Sequence, residues 1–267
     1  MVIDFHVHTF TDALAPRALH GLNADGSKPM YTDATVSDTL NKMAGWGVDK
    51  FVMLSVATKP SQPSRINDWI SQQQNRYPNQ IIGFGALHPD APDVFEELVR
   101  LKSLGLKGVK LHPDFQNFMI DEQRLFELYD ACAQLELPIV FHCGFDAVSP
   151  ELIHAPPHRT ARVAELFPKL VMICAHFGGY NQWEETFQVL AGKNVYLDTA
   201  YCAHIMAREM AEKLIAKHGA QRVLFASDCP WDNPEDTIRF LDSLSIPDSQ
   251  KEDIFSGNAR RLLNLQK

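Results

Sequence analysis

Six residues of this chain have the types and the placement to do metal chemistry. They are His6 and His8 in VIDFHVHT, His112 in GVKLHP, His142 in PIVFHCG, His176 in VMICAHFGG and Asp228 in VLFASDCPW. Each lies at or near the C-terminal end of a short apolar run, just before polar or turn-forming residues. Imidazole and carboxylate are ligands for divalent transition metals, and strand ends of this kind meet at one rim of a parallel barrel. Residues two apart on a strand share a face, so His6 and His8 project together, with Asp4 beneath them, and can chelate one ion. A single histidine at a strand end is ordinarily a hydrogen-bonded core residue, and a single aspartate a helix cap. Several such groups at equivalent heights on strands 1, 5, 6 and 8 would be costly to bury without an ion or partners. The pattern reads as a metalloenzyme site.

Eight strand-like runs must position these residues: Val2–Val7, Phe51–Val56, Ile81–Leu87, Gly108–His112, Pro138–Cys143, Leu170–His176, Val195–Ala200 and Val223–Ser227. They are rich in Val, Ile, Leu and Phe without strict alternation, as strands buried on both faces are. Helical periodicity fills the gaps. Val94, Leu98, Leu101 and Leu104 form one stripe between Pro92 and Gly105. Leu125, Leu128, Tyr129, Cys132 and Leu135 form another, with Asp121 as its expected N-cap. Asn181 to Gly192 and Asn233-Pro234 to Leu244 complete the set. Eight alternating units predict a (β/α)₈ TIM barrel, one domain over residues 1–267, with its site at the C-terminal rim of the strands. The long first connection, from Thr9 to about Thr35, is expected to be a lid or substrate wall.

Composition narrows the partners. Net charge is −8, from 25 basic and 33 acidic residues, which argues against nucleic acid or an anionic membrane surface. A small-molecule substrate fits better, and exposed barrel helices make a homodimer an open expectation. The five cysteines are scattered through apolar runs and read as reduced thiols. With no leader-like N-terminus and no apolar run of membrane-spanning length, a cytoplasmic location is expected.

The motifs IDFHVHTF, GVKLHP, LPIVFHCG, FPKLVMICAHFGG, NVYLDTA, VLFASDCPW and FSGNARRLL run nearly end to end. Together they resemble the amidohydrolase superfamily, and more closely its amidohydrolase-related (amidohydrolase 2) branch. That branch also contains aminocarboxymuconate-semialdehyde decarboxylase and resorcylate decarboxylase. The resemblance implies that His6, His8, His142 and Asp228 ligate one divalent ion, zinc foremost, with manganese or another divalent ion as alternatives. It also implies that His176 is the general base and later acid beside a metal-bound water. Asp228 could share that duty, and His176 could instead be a ligand. A bound ion makes water acidic enough for a neighbouring imidazole to take its proton.

Strand 4 admits two readings. Lys110 could be a carboxylated bridge between two metals, as in binuclear members; otherwise it pairs low in the barrel with Asp4 or Asp198 while His112 lines the pocket. Further substrate-binding candidates are His158 and Arg159 after strand 5, with Arg159 suited to a carboxylate, Tyr201 after strand 7 and Trp231 after strand 8. His154 is a weaker candidate in the same loop as Arg159. Phe115, Gln116 and Phe118 are expected as an added wall, Asp198 as a supporting group, and Gly178-Gly179 as a tight turn. The leading expectation for function is a metal-dependent hydrolase of an amide, ester or lactone-like bond. The alternative is a non-oxidative decarboxylase of an aromatic or unsaturated carboxylic acid. A barrel that binds metal or ligand without catalysis is the third reading.

Overall fold

A computed structural model describes residues 1–23 and 29–265. The first connection therefore lies partly outside the described residues. Eight strands follow one another in chain order: β1 Ile3–Val7, β2 Lys50–Leu54, β3 Ile81–Ala86, β4 Val109–Leu111, β5 Ile139–Phe141, β6 Met172–Cys174, β7 Tyr196–Asp198 and β8 Val223–Leu224. Every neighbouring pair is parallel. The sheet curls back on itself where Phe5 N–H donates to Phe225 O (2.8 Å) and Asp228 N–H to His6 O (2.9 Å). This is the (β/α)₈ barrel that eight alternating units predict.

Alternation along the strands divides the core in two. Met53, Val109, Leu111, Ile139, Phe141 and Leu197 join a large cluster with helix residues such as Leu98, Leu101, Leu128 and Leu214. Val52, Leu54, Ile82, Phe84, Val140, Ile173 and Leu224 join a second, smaller one. Because side chains alternate faces, the first set packs under the helices and the second fills the barrel axis. On β4 the axial position belongs to Lys110, which pairs in register with Ala86 and Val140 and is fully buried.

The helices follow from local chemistry. Pro234 opens the helix Pro234–Asp242, and the Asn233 side chain accepts from Glu235 N–H. Gly105, at φ +76°, ends the turn after helix Val94–Ser103 in a conformation only glycine adopts without strain. Two expectations fail. Asp121 does not cap the helix Phe126–Gln134, because its carboxylate is taken by Arg159 and Arg162. The segment after Asn181 is a short turn, Trp183–Glu185, running into a π-helical stretch, Thr186–Leu190, rather than one regular helix. Among the described residues, no helix is long and apolar enough to cross a membrane.

The strands also end earlier than the apolar runs suggest. β6 stops at Cys174 and β8 at Leu224, so His176 and Asp228 stand beyond the ladder, both at positive φ (59° and 74°). A left-handed backbone at a residue with a β-carbon costs on the order of 1 kcal/mol or more. Here it turns side chains toward the barrel mouth that a regular strand would have sent elsewhere.

Candidate active site

His6 and His8 leave β1 with their rings oriented by different partners. His6 Nδ1 meets Asp198 Oδ2 at 2.9 Å, and His8 Nδ1 meets the Leu54 carbonyl at 2.9 Å. A carboxylate and a carbonyl can only accept, so each Nδ1 carries the proton and each Nε2 keeps its lone pair. Those lone pairs face Asp228, whose Oδ1 is 3.1 Å from His8 Nε2 and 3.6 Å from His6 Nε2. Donor atoms of His6, His8 and Asp228 all lie within 4.8 Å of one another. Lys110 Nζ approaches His6 Nε2 at 3.3 Å. Two imidazole lone pairs and a carboxylate converging on one point form a donor set suited to a divalent cation.

His142 and His176 form the adjoining pair. His176 Nδ1 meets the Ala200 carbonyl at 2.8 Å, and His142 Nε2 meets the Phe145 carbonyl at 3.3 Å. Their other nitrogens, His142 Nδ1 and His176 Nε2, stand 3.1 Å apart. Asp198 links this pair to β1, because its Oδ1 accepts from His176 N–H at 2.9 Å while Oδ2 holds His6. One buried carboxylate on β7 thereby sets the aim of two strand ends.

The expected four-residue cage is assembled only in part. His6, His8 and Asp228 gather; His142 falls in a separate group with His112 and Asp146, its Nε2 and His112 Nε2 each 3.5 Å from Asp146 Oδ2. The His142 and His112 rings stack at 4.4 Å with planes 8° apart.

Burial sets the protonation states. It pushes His6, His112 and His142 well below the ordinary imidazole pKa, with Lys110 and neighbouring histidines adding to the effect. Neutral imidazoles are what a metal requires. Burial also lowers Lys110 to about 8, against the pull of Asp198 and Asp228. It raises Asp4 to about 7 although Ser227 and main-chain N–H groups favour the anion. Asp4 is held by Ser227 Oγ at 2.5 Å; of the two partners expected for Lys110, Asp198 is the carboxylate whose charge acts on it most strongly.

A cavity of about 450 Å³ opens over these groups. His112, Tyr201 and Trp231 line it, as the sequence predicts, together with Phe115, Phe145 and Tyr180. The first connection adds Phe10 and Leu22 to its wall. His158 and Arg159 do not line it. His158 is 60% exposed and pairs with Glu185 (2.7 Å), while Arg159 is drawn to Asp121 (2.6 Å), whose buried carboxylate needs a cation. Gln116 and Phe118 are also not wall residues: the Gln116 amide ties Ala57 O and Leu87 O (2.8 and 2.6 Å), and Phe118 belongs to the core. His154 turns to Asp114, at 3.0 Å. Sequence reasoning missed Asp146 and Tyr180. Asp146 is the acidic residue four beyond His142, and that spacing from a candidate ligand was the available signal.

The family model described as Amidohydrolase matches residues 3–265. The chain belongs to the amidohydrolase family. One relative of this family member is a gamma-resorcylate decarboxylase of Polaromonas sp., 22% identical over 251 residues, 76% of each chain. Among solved structures, an uncharacterised TIM-barrel protein of Bordetella bronchiseptica superposes with a TM-score of 0.77 at 21% identity, covering 98% of both chains. A dihydroxybenzoic acid decarboxylase of Polaromonas sp., with bound manganese and the inhibitor 2-nitroresorcinol, gives a TM-score of 0.73 at 16% identity, covering 100% of this chain and 97% of that one. At these identities the structures establish a shared fold; chemistry has to be argued from the site.

Proposed function

We propose that this amidohydrolase-family chain is a metal-dependent, non-oxidative decarboxylase of a monocyclic aromatic or unsaturated carboxylic acid. The observation that carries the reading is the cavity itself. It places a wall of Phe115, Phe145, Tyr180, Tyr201 and Trp231 over a cationic floor, Lys110, beside the His6–His8–Asp228 donor set. A flat ring fits between aromatic faces, and its carboxylate is drawn to the floor. Both relatives above with a named activity are decarboxylases, which supports this reading over hydrolysis.

His6, His8 and Asp228 would hold the ion, joined by His142 through the nitrogen that faces His176. The bound ion would supply positive charge against which the substrate carboxylate is drawn. The manganese of the dihydroxybenzoic acid relative makes that ion the first choice here, in place of the zinc expected from sequence. The residues do the rest. Lys110 contributes a buried charge at the floor, and the aromatic walls exclude water and fix the ring plane. The reaction breaks the bond from ring carbon to carboxylate, releases CO₂ and puts one proton on the vacated carbon. His176 Nε2 and the second carboxylate oxygen of Asp228 are the groups proposed to carry that proton.

The test is product analysis on manganese-loaded protein, with hydroxybenzoates assayed beside ester, amide and lactone panels. The expected result is CO₂ release from an aromatic acid and no bond hydrolysis. Hydrolysis of an ester or lactone without CO₂ would overturn the proposal in favour of a hydrolase.

A further inference from the structure

A second group of ligand-type side chains lies outside the cavity, where the loop after β7 meets the helix Pro234–Asp242. His204 Nε2 stands 3.2 Å from Asp232 Oδ1 and 3.3 Å from Asp236 Oδ2, and the three donor atoms lie within 4.8 Å of one another. A charge-assisted hydrogen bond between imidazolium and carboxylate draws its atoms to about 2.7–2.9 Å. Ligand atoms about 2.0–2.2 Å from a tetrahedral zinc ion instead lie roughly 3.3–3.6 Å apart, nearer to the two distances found. Asp232 is also short of positive charge. Its side chain is 3% exposed, and among the described residues no lysine or arginine pairs with it. Among those residues, its one hydrogen bond from outside the trio comes from the main-chain N–H of its neighbour Asn233, at 2.7 Å. Burial raises its pKa although that N–H and His204 favour the anion, and the charges of Asp228 and Asp236 add to the rise. Asp236 is already aimed, because Arg239 holds its Oδ1 while Oδ2 faces His204. His204 is 56% exposed, and with Asp236 it lines a surface groove of about 570 Å³, so an ion and its waters can enter from solvent.

We propose that His204, Asp232 and Asp236 form a second divalent-cation site, one that takes zinc, separate from the His6–His8–Asp228 set. One imidazole and two carboxylates are a ligand mix that zinc accepts, with water completing the shell. The ion bridges two segments that carry cavity walls: Tyr201 lies on the loop leading to His204, and Trp231 immediately precedes Asp232. Bound zinc thereby braces the mouth of the cavity from outside without touching substrate. The site does not depend on the reaction proposed above.

The test is equilibrium dialysis of the full-length protein against zinc, with bound metal counted by elemental analysis and melting temperature recorded for each sample. His8→Ala disables the first ion site; His204→Ala and Asp236→Ala are made alone and on the His8→Ala background. Wild type should hold two equivalents, and His8→Ala and His204→Ala one each. On the His8→Ala background, either second replacement should weaken the remaining equivalent by about 100-fold or more, since loss of a supporting group alone costs about 10- to 100-fold. Zinc should also raise the melting temperature of His8→Ala, and the rise should vanish when His204 is replaced as well. A zinc content that neither His204→Ala nor Asp236→Ala changes overturns the second site, as does a His8→Ala variant that binds no zinc. A wild type with a single equivalent that is lost with His204 and kept in His8→Ala supports this site and defeats the first.

Discussion

His142 Nδ1 and His176 Nε2 face each other at 3.1 Å while the opposite nitrogen of each ring faces a main-chain carbonyl, Phe145 O and Ala200 O. If each outer nitrogen donates to its carbonyl, two lone pairs meet with no proton between them. Such a contact is repulsive unless a cation sits against it or one ring is charged, and burial disfavours the charged form of His142. The pair is therefore built for a positive charge.

His176→Asn separates the two duties this pair could serve. As a proton carrier, His176 should lose turnover by about 10²–10⁴-fold on replacement while metal content stays at the wild-type level. Elemental analysis beside the rate assay decides the matter. If metal falls with activity, His176 is a ligand.

Metal should stabilise the fold through the gathered trio. Raising manganese to a hundred times its Kd should add about 2.7 kcal/mol to the unfolding free energy. A thermal melt with and without the ion reads this directly. His8→Ala should abolish the increment, because it removes one of the donor atoms that lie within 4.8 Å of one another. An unchanged increment in that variant would contradict the site.

Asp198→Asn should weaken metal binding without removing any ligand. Asp198 accepts from His6 Nδ1 and from the main-chain N–H groups of His176 and Ala200. An amide cannot accept at both positions, so one of these donors would meet an NH₂ group. Loss of such a supporting carboxylate typically costs 10- to 100-fold in metal affinity. Competition with a chelating dye is a suitable measurement.

The barrel was legible in the sequence because strands buried on both faces leave continuous apolar runs, and helices leave a 3.6-residue stripe. The ends of those runs also located the histidines. Side-chain allegiance beyond the strands was less accessible. Nothing in HRTARV distinguishes an arginine that grips substrate from one bound to Asp121, since that partner is 38 residues away in sequence. Asp146 was overlooked for a related reason: its four-residue spacing from His142 is a weak signal in a loop without periodicity, and its approach to His112 as well as His142 emerges only from the pairing of β4 with β5.

Acid sensitivity should have a source outside the active site. His218 is buried with Nε2 on the Val195 carbonyl (2.9 Å) and Nδ1 accepting from Gly192 N–H (3.1 Å), and burial lowers its pKa to about 4. The unfolded chain, with an imidazole near 6.5, binds this proton first. The stabilisation is thus complete above pH 6.5 and is lost as pH falls toward 4, amounting to about 3 kcal/mol at most. Urea titrations at pH 7.5 and 4.5 should show that His218→Gln reduces the difference between the two pH values. An equal difference in both proteins would remove His218 as the cause.

The proposed reaction takes CO₂ from a ring carbon and returns a proton to it at this site. The direct measurement is turnover of a hydroxylated aromatic acid by the manganese-loaded enzyme in D₂O, with mass analysis of the ring product. One deuterium at the vacated carbon for each CO₂ released is the expected result, with neither product formed by the metal-free protein. Water incorporated across a cleaved ester or lactone, with the substrate's carboxylate intact, would contradict it.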